Sequence, residues 1–214
     1  MLYRWDFRSA ERAFQRAIEL NPGYANAHKY YGQLLAATGR REAALAEHQR
    51  ALELDPNSLL IRSDFAFVLV HTGYPDEAIA QARKVLEVDP SFEYARNTLV
   101  RAYTQKRMYE EAIAEGRPSS PWLGYAYAAA GKRKEAEQVI DKLKALSEER
   151  YVSPHNIAGI HAGLGEKEPA FEWLYKAYEG RAQGLIWLKT DPRYQSLRAD
   201  PRFVDLVRRV GLPP

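Results

Sequence analysis

The sequence predicts an all-α protein, a solenoid of antiparallel helix pairs with a helical cap at its C-terminal end. Three observations carry that prediction. Prolines and small residues recur at a step of 34 residues. Each period holds two segments with apolar residues at i, i+3 and i+4 spacing, the signature of an amphipathic helix. The 13 glycines and 12 prolines fall mostly between those segments, where helices stop. The step of 34 runs through Pro22, Pro56 and Pro90, through Ala10, Ala44, Ala78 and Ala112, and through Gly39 and Gly73. It returns later as Gly131 to Gly165 and Ala136 to Ala170. A fixed period of this length marks stacked repeats, each unable to bury its apolar face alone.

The elements follow in order. The chain opens on a half repeat, residues 1–22, that contains only a second helix, at 8–20. The next repeat, 23–56, places Tyr31, Leu34 and Leu35 on one face of its first helix, which Gly39 stops. Its second helix turns Ala44, Leu45, His48, Ala51 and Leu52 inward, and Asp55-Pro56 ends it, because proline forces the preceding residue out of the helical region. Gly32 and Ala44 stand where the paired helices come closest. Repeat 57–90 is complete in the same way.

After that the clock slips. Ala112 is followed by its equivalent, Ala136, only 24 residues on, so ten residues are missing. The segment Gly116-Arg117-Pro118-Ser119-Ser120-Pro121 replaces the end of one helix and the start of the next, leaving repeat 91–117 truncated and repeat 118–150 shortened. That segment is expected to be the weak joint of the array. A last repeat spans 151–180. In the remaining 181–214, Asp191-Pro192-Arg193 and Asp200-Pro201-Arg202 each set an N-cap aspartate before a proline at the first helical position. With Tyr194, Leu197, Phe203, Leu206 and Val207 forming an apolar face, this reads as the cap a solenoid needs.

The best unit, Ala25 through Pro56, resembles the tetratricopeptide repeat: Tyr31, Gly32, Leu35, Gly39, Ala44, Ala51 and Pro56 match that family's pattern. It departs at His28 and His48, where the family favours aromatics. The resemblance extends over nearly the whole chain and implies a right-handed superhelix. The run Trp5-Asp6-Phe7-Arg8-Ser9-Ala10 and the Asp-Pro-Arg cap are also similar to C-terminal repeat regions of bacterial regulatory proteins, among them winged-helix transcription regulators, adenylate cyclases and protein kinases. The opening helix would leave Phe14 and Ile18 without a preceding partner, so the chain is expected to be a module of a longer protein.

Composition narrows the function. The 31 basic and 28 acidic residues leave a net charge of +3, too little for a dedicated nucleic-acid binder. The absence of cysteine excludes thiolate metal sites and cysteine nucleophiles and fits a reducing, cytoplasmic location. No secretory h-region opens the chain, and the longest apolar run, Phe65 to Val70, is far too short for a membrane span. His28 with His48, and His155 with His161, offer too few convergent ligands for a metal. His71, Ser63 and Asp76 lack the turn and oxyanion donors of a hydrolytic triad. The glycine-dense stretch from Gly159 to Gly165 follows a helix, where a phosphate loop would follow a strand. No catalytic residue, cofactor or metal is therefore expected.

What remains is a surface. In tetratricopeptide repeats the first helices line a concave groove, and the resemblance carries its positions onto Asn26, Lys29, Gln33, Leu60, Ser63, Phe67, His71, Tyr94, Asn97, Arg101 and Gln105. That polar, mildly basic set suits an extended peptide, whose acidic groups would meet Lys29 and Arg101. The family's clamp for acidic C-termini is not reproduced: its positions hold Lys29, Gln33, Asp64, Tyr94 and Thr98, of which only the first fits. The expected function is thus a protein-interaction scaffold. Alternatives are a domain that senses a small effector, with 116–121 as a hinge, and a weaker one in which the repeats bind RNA.

Overall fold

A computed structural model describes residues 5–213. The 34-residue period appears in it as stacked antiparallel helix pairs. The first helix, α1 (Phe7–Leu20), is followed by the pairs α2 (Ala25–Ala37) and α3 (Arg41–Leu54), and α4 (Leu59–Thr72) and α5 (Pro75–Val88). Then come α6 (Glu93–Gln105) with α7 (Tyr109–Glu115), α8 (Pro121–Ala129) with α9 (Arg133–Glu149), and α10 (Pro154–Gly163) with α11 (Lys167–Glu179). Two 3₁₀ helices, Gln183–Trp187 and Pro192–Leu197, precede α12 (Pro201–Val210). No strand occurs among the described residues.

The punctuation acts as its chemistry requires. Gly73 closes α4 in the left-handed region at φ 92°, a conformation that costs glycine nothing. Ser58 caps α4 by accepting from the Ile61 N–H, and Ser120 caps α8 by accepting from that of Trp122. Asp191 and Asp200 cap their segments through the Arg193 and Arg202 N–H groups, with proline at the first position of each. The 192–197 segment is a 3₁₀ turn rather than an α-helix. The skip of ten residues falls on α7, which keeps only 7 residues, and on the 9-residue α8.

The helix pairs approach most closely where the sequence is smallest. Ala44, Ala78, Ala112, Ala136 and Ala170 are all fully buried. A Cβ on Gly32 would come within 2.3 Å of His48 Nδ1 and 3.1 Å of the Ala44 carbonyl. Gly32→Ala should therefore destabilise by about 1–3 kcal/mol, measured as the change in urea midpoint against wild type. An unchanged midpoint would mean that His48 can swing aside.

The core does not end with the last repeat. Phe7 and Ala10 of α1 share one apolar cluster with Phe171 and Leu174 of α11, with Leu185, Tyr194 and Leu197 of the 3₁₀ segments, and with Phe203, Leu206 and Val210 of α12. Trp5 stacks on Tyr178 with ring centroids 5.5 Å apart. The first helix of the array is thus packed against its last turns. The expectation of an unpartnered α1 face requires correction: the C-terminal cap covers its Phe7 and Ala10, while Phe14 and Ile18 remain half-buried and Phe14 lies 6.3 Å from the Tyr30 ring.

Candidate concave binding face

The inward helices α2, α4, α6, α8 and α10 build the concave face, and the segment between α11 and α12 crosses it. Trp187 packs edge-on against Phe67 of α4, with centroids 4.7 Å apart, and 4.6 Å from His71. The Thr190 hydroxyl lies 3.3 Å from His71 Nδ1. Farther along, the Arg193 guanidinium lies 3.8 Å from the centre of the Trp122 ring of α8, and Tyr194 donates to the His155 carbonyl of α10 at 2.7 Å. Gly159 and Gly184 make room for this crossing. A Cβ on Gly159 would meet the Arg193 guanidinium at 2.7 Å, and one on Gly184 would meet His155 at 2.1 Å.

The residues expected to line a groove are brought together on these helices but not left open. Lys29 is only 2% exposed; its ammonium lies 3.3 Å from the Asp64 carboxylate, which also accepts from the Tyr94 hydroxyl at 2.8 Å. Burial raises the Asp64 carboxyl above its usual value, against the opposing pull of Lys29 and Tyr94. Lys29 is thereby neutralised within the chain rather than offered to an acidic peptide. Ser63, Phe67 and His71 are buried as well. Burial chiefly, with Arg101 and Arg193 adding to it, pushes His71 down to about 3. Asn97 is half-buried and bonded to the Ser120 hydroxyl at 2.7 Å. Asn26, Gln33 and Tyr94 are half-buried, while Leu60 and Gln105 face solvent.

Arg101 is the exception. Its guanidinium stacks between aromatic groups, 4.6 Å from the Phe67 centroid and 3.5 Å from that of Trp122. Its Nε and Nη1 are buried without a hydrogen-bond partner. Burial, joined by repulsion from Arg193, brings it down to about 9 in spite of Tyr94 and Asp191. The other arginine on this face has a carboxylate of its own. Arg193 is held by Asp191 through Nε at 3.1 Å and Nη2 at 2.7 Å, both residues being 2% exposed. Burial acts to raise Asp191, but Arg193 holds its carboxyl well below the usual carboxylate range.

The crossing segment leaves openings. The largest, of about 540 Å³, lies where α1, α2, α4 and α6 meet the 183–187 turn, and its walls include Phe14, Tyr30, Gln33, Phe67, Tyr94 and Trp187. A second, of about 310 Å³, contains Arg101, Trp122, His155 and Arg193. The third, of about 480 Å³, borders the 116–121 loop and shares Arg101, Trp122 and His155 with the second. Sequence reasoning missed Trp187, Gln183 and Arg193 as members of this face. The apolar run Leu185-Ile186-Trp187-Leu188, outside every repeat position, was their signal.

The remaining histidines are engaged singly. His28 Nδ1 lies 2.6 Å from Glu47, and His48 Nδ1 donates to the Ala44 carbonyl at 2.9 Å. Among the described residues, no three groups of His, Asp or Glu gather as metal ligands, and no helix is long and apolar enough to cross a membrane.

Comparison with known proteins bears on this architecture. Residues 2–58 match the sequence model of a tetratricopeptide repeat family. Among solved structures, PilW, a widely conserved type IV pilus biogenesis factor, superposes with a TM-score of 0.60 at 18% identity, over 90% of this chain and 90% of that one. The fold is that of a tetratricopeptide-repeat solenoid. A tetratricopeptide repeat protein from Parabacteroides merdae gives a TM-score of 0.56 at 15% identity over 96% of this chain and 86% of that one. A thermophilic one from Thermus thermophilus gives 0.56 at 20% identity over 86% and 99%. No curated protein sequence matches the chain significantly. At these identities the likeness describes the tetratricopeptide fold, and it leaves the site to be argued from its own residues.

Proposed function

We propose that this protein is a non-catalytic interaction scaffold that takes a protein partner on its concave face, as a module of a larger regulatory protein. The observation that carries the reading is the 540 Å³ opening beside the crossing segment. Rings from α1, α2, α4, α6 and the 183–187 turn converge there, with the Gln33 and Gln183 amides among its lining residues. Such a slot suits one bulky apolar side chain of an extended segment, whose backbone meets the amides. The acidic-peptide contact expected at Lys29 is replaced in this reading by apolar anchoring, because Lys29 is committed to Asp64.

The test uses exposed Ala13, which borders the slot and can be enlarged without entering the core. Selection from a random phage-displayed peptide library against the intact protein should enrich sequences sharing an aromatic or leucine anchor. Ala13→Arg should weaken the enriched peptides at least tenfold, about 1.4 kcal/mol. Peptides that bind the Ala13→Arg variant equally well would sink the slot, and a library that never enriches above an unrelated protein would sink the scaffold reading.

A further inference from the structure

The 310 Å³ cavity on the other side of Trp187 has a different chemistry from the slot. Its charged groups are Arg101, Arg193 and Asp191. Arg193 and Asp191 neutralise each other at 2.7 Å. Lys29 and Asp64 do the same on the adjacent face at 3.3 Å. His71 and His155, each pushed down to about 3, chiefly by burial, are neutral and add no charge. One positive charge, that of Arg101, is left over.

That surplus is enclosed. Nε and Nη1 of Arg101 are buried without a partner, and so is Nη1 of Arg193, a residue that is 2% exposed. Buried guanidinium N–H groups without acceptors are costly, and a carboxylate is the acceptor that also answers the charge. Phe67, Trp122 and Trp187 give the cavity three apolar rings, and Tyr151, Ser153 and Gln183 add neutral polar groups to its walls.

We propose that this cavity is a binding site for a small organic carboxylate, whose anionic group pairs with Arg101 and whose body lies among the Phe67, Trp122 and Trp187 rings. A monoanion balances the single surplus charge, whereas a dianion such as a phosphate ester would leave one negative charge buried without a counterion. The volume lies at the lower end of the range for small-molecule pockets, about 300–1,000 Å³, which limits the ligand to a few carbons or one ring. The third cavity, beside the 116–121 loop, adjoins this one across Arg101, Trp122 and His155. Binding there bridges α4, α6 and α8 to the crossing segment, so a ligand would fasten that segment to the repeats. The site stands apart from the apolar slot and does not depend on it.

Benzoate is a suitable probe, with benzamide as its neutral twin and inorganic phosphate as the competing anion. Each is titrated into the whole protein to about 10 mM, ten times the Kd of a millimolar binder, while tryptophan fluorescence and thermal unfolding are followed. Benzoate should quench fluorescence saturably and raise Tm by about 3–5 °C at ten times Kd. Benzamide and phosphate should bind at least tenfold more weakly. Arg101→Gln should lose the benzoate response by at least tenfold while its unliganded Tm equals or exceeds that of wild type, since a buried unpaired charge is removed. Arg101→Lys, which keeps the charge, should retain binding. Equal binding of benzoate and benzamide, tighter binding of phosphate, an undiminished response in Arg101→Gln or no saturable response to benzoate would each overturn the proposal. Should Arg101→Gln fail to fold, the contrast between benzoate and benzamide decides the matter alone.

Discussion

Asp191→Asn is expected to lower the unfolding free energy by about 3–5 kcal/mol, the cost of leaving one member of a buried ion pair uncompensated. Asp191 is 2% exposed and serves Arg193 three ways: it accepts from Nε at 3.1 Å, from Nη2 at 2.7 Å and from the backbone N–H at 3.0 Å. Asparagine keeps an oxygen for the N-cap, so the loss isolates the charge. Without it, Arg193 and Arg101 become two unbalanced cations stacked on one indole. The segment 183–197 should then be cut early in limited proteolysis, and urea unfolding gives the energy. The sequence supplies its own control. Asp200 and Arg202 repeat the same Asp-Pro-Arg motif, but with side chains 16% and 37% exposed. Asp200→Asn should cost less than about 1 kcal/mol, as a surface pair does. Equal losses at the two sites would show that the cap, and not the buried charge, holds the segment.

These twin motifs also show what can be read from a sequence and what cannot. Both aspartates and both prolines announce a helical start, because capping and proline geometry are local. The same locality made the helices legible: α1 to α11 are set by apolar spacing and by breakers such as Gly39, Gly73 and the Asp-Pro pairs. Nothing local distinguishes Arg193, buried against Trp122 and Gly159, from Arg202, which reaches out to Glu168 at 2.7 Å. That difference arises only when the cap folds back across the concave face. Hence the eleven residues expected to form an open groove were placed on inward helices, yet Lys29, Ser63, Phe67 and His71 proved buried. The Lys29–Asp64 pair and the Tyr94 hydroxyl that closes it were half visible, since all three fall on clamp positions of the repeat family; that they bond to one another was not.

Acidification from pH 7.5 to 5.5 should remove about 3 kcal/mol of stability through His48 and His71 alone, each contributing about 1.4 kcal/mol. His48 is fully buried, with Nδ1 donating to Ala44 and Nε2 unpartnered; burial pushes it down to about 4. His71, 5% exposed, is pushed down to about 3, chiefly by burial, with Arg101 and Arg193 adding to it and Asp191 opposing. His155 shifts in the same direction. The sign follows from which state binds protons. In the unfolded chain a histidine takes up its proton near pH 6.5, while in the folded chain these two stay neutral until far lower. Below about pH 6.5 the unfolded state therefore binds more protons, and stability falls until the folded-state values are reached. Urea midpoints across that pH range measure the effect. His48→Phe retains a ring against Phe65, whose centroid lies 5.9 Å away, and removes one titrating group. Its midpoint should fall about two thirds as steeply with pH as that of wild type, since His71 and His155 still titrate. A wild-type midpoint that stays level between pH 7.5 and 5.5 would mean that both imidazoles can reach water without unfolding the repeats, and would loosen the whole picture of a concave face sealed by its own C-terminal segment.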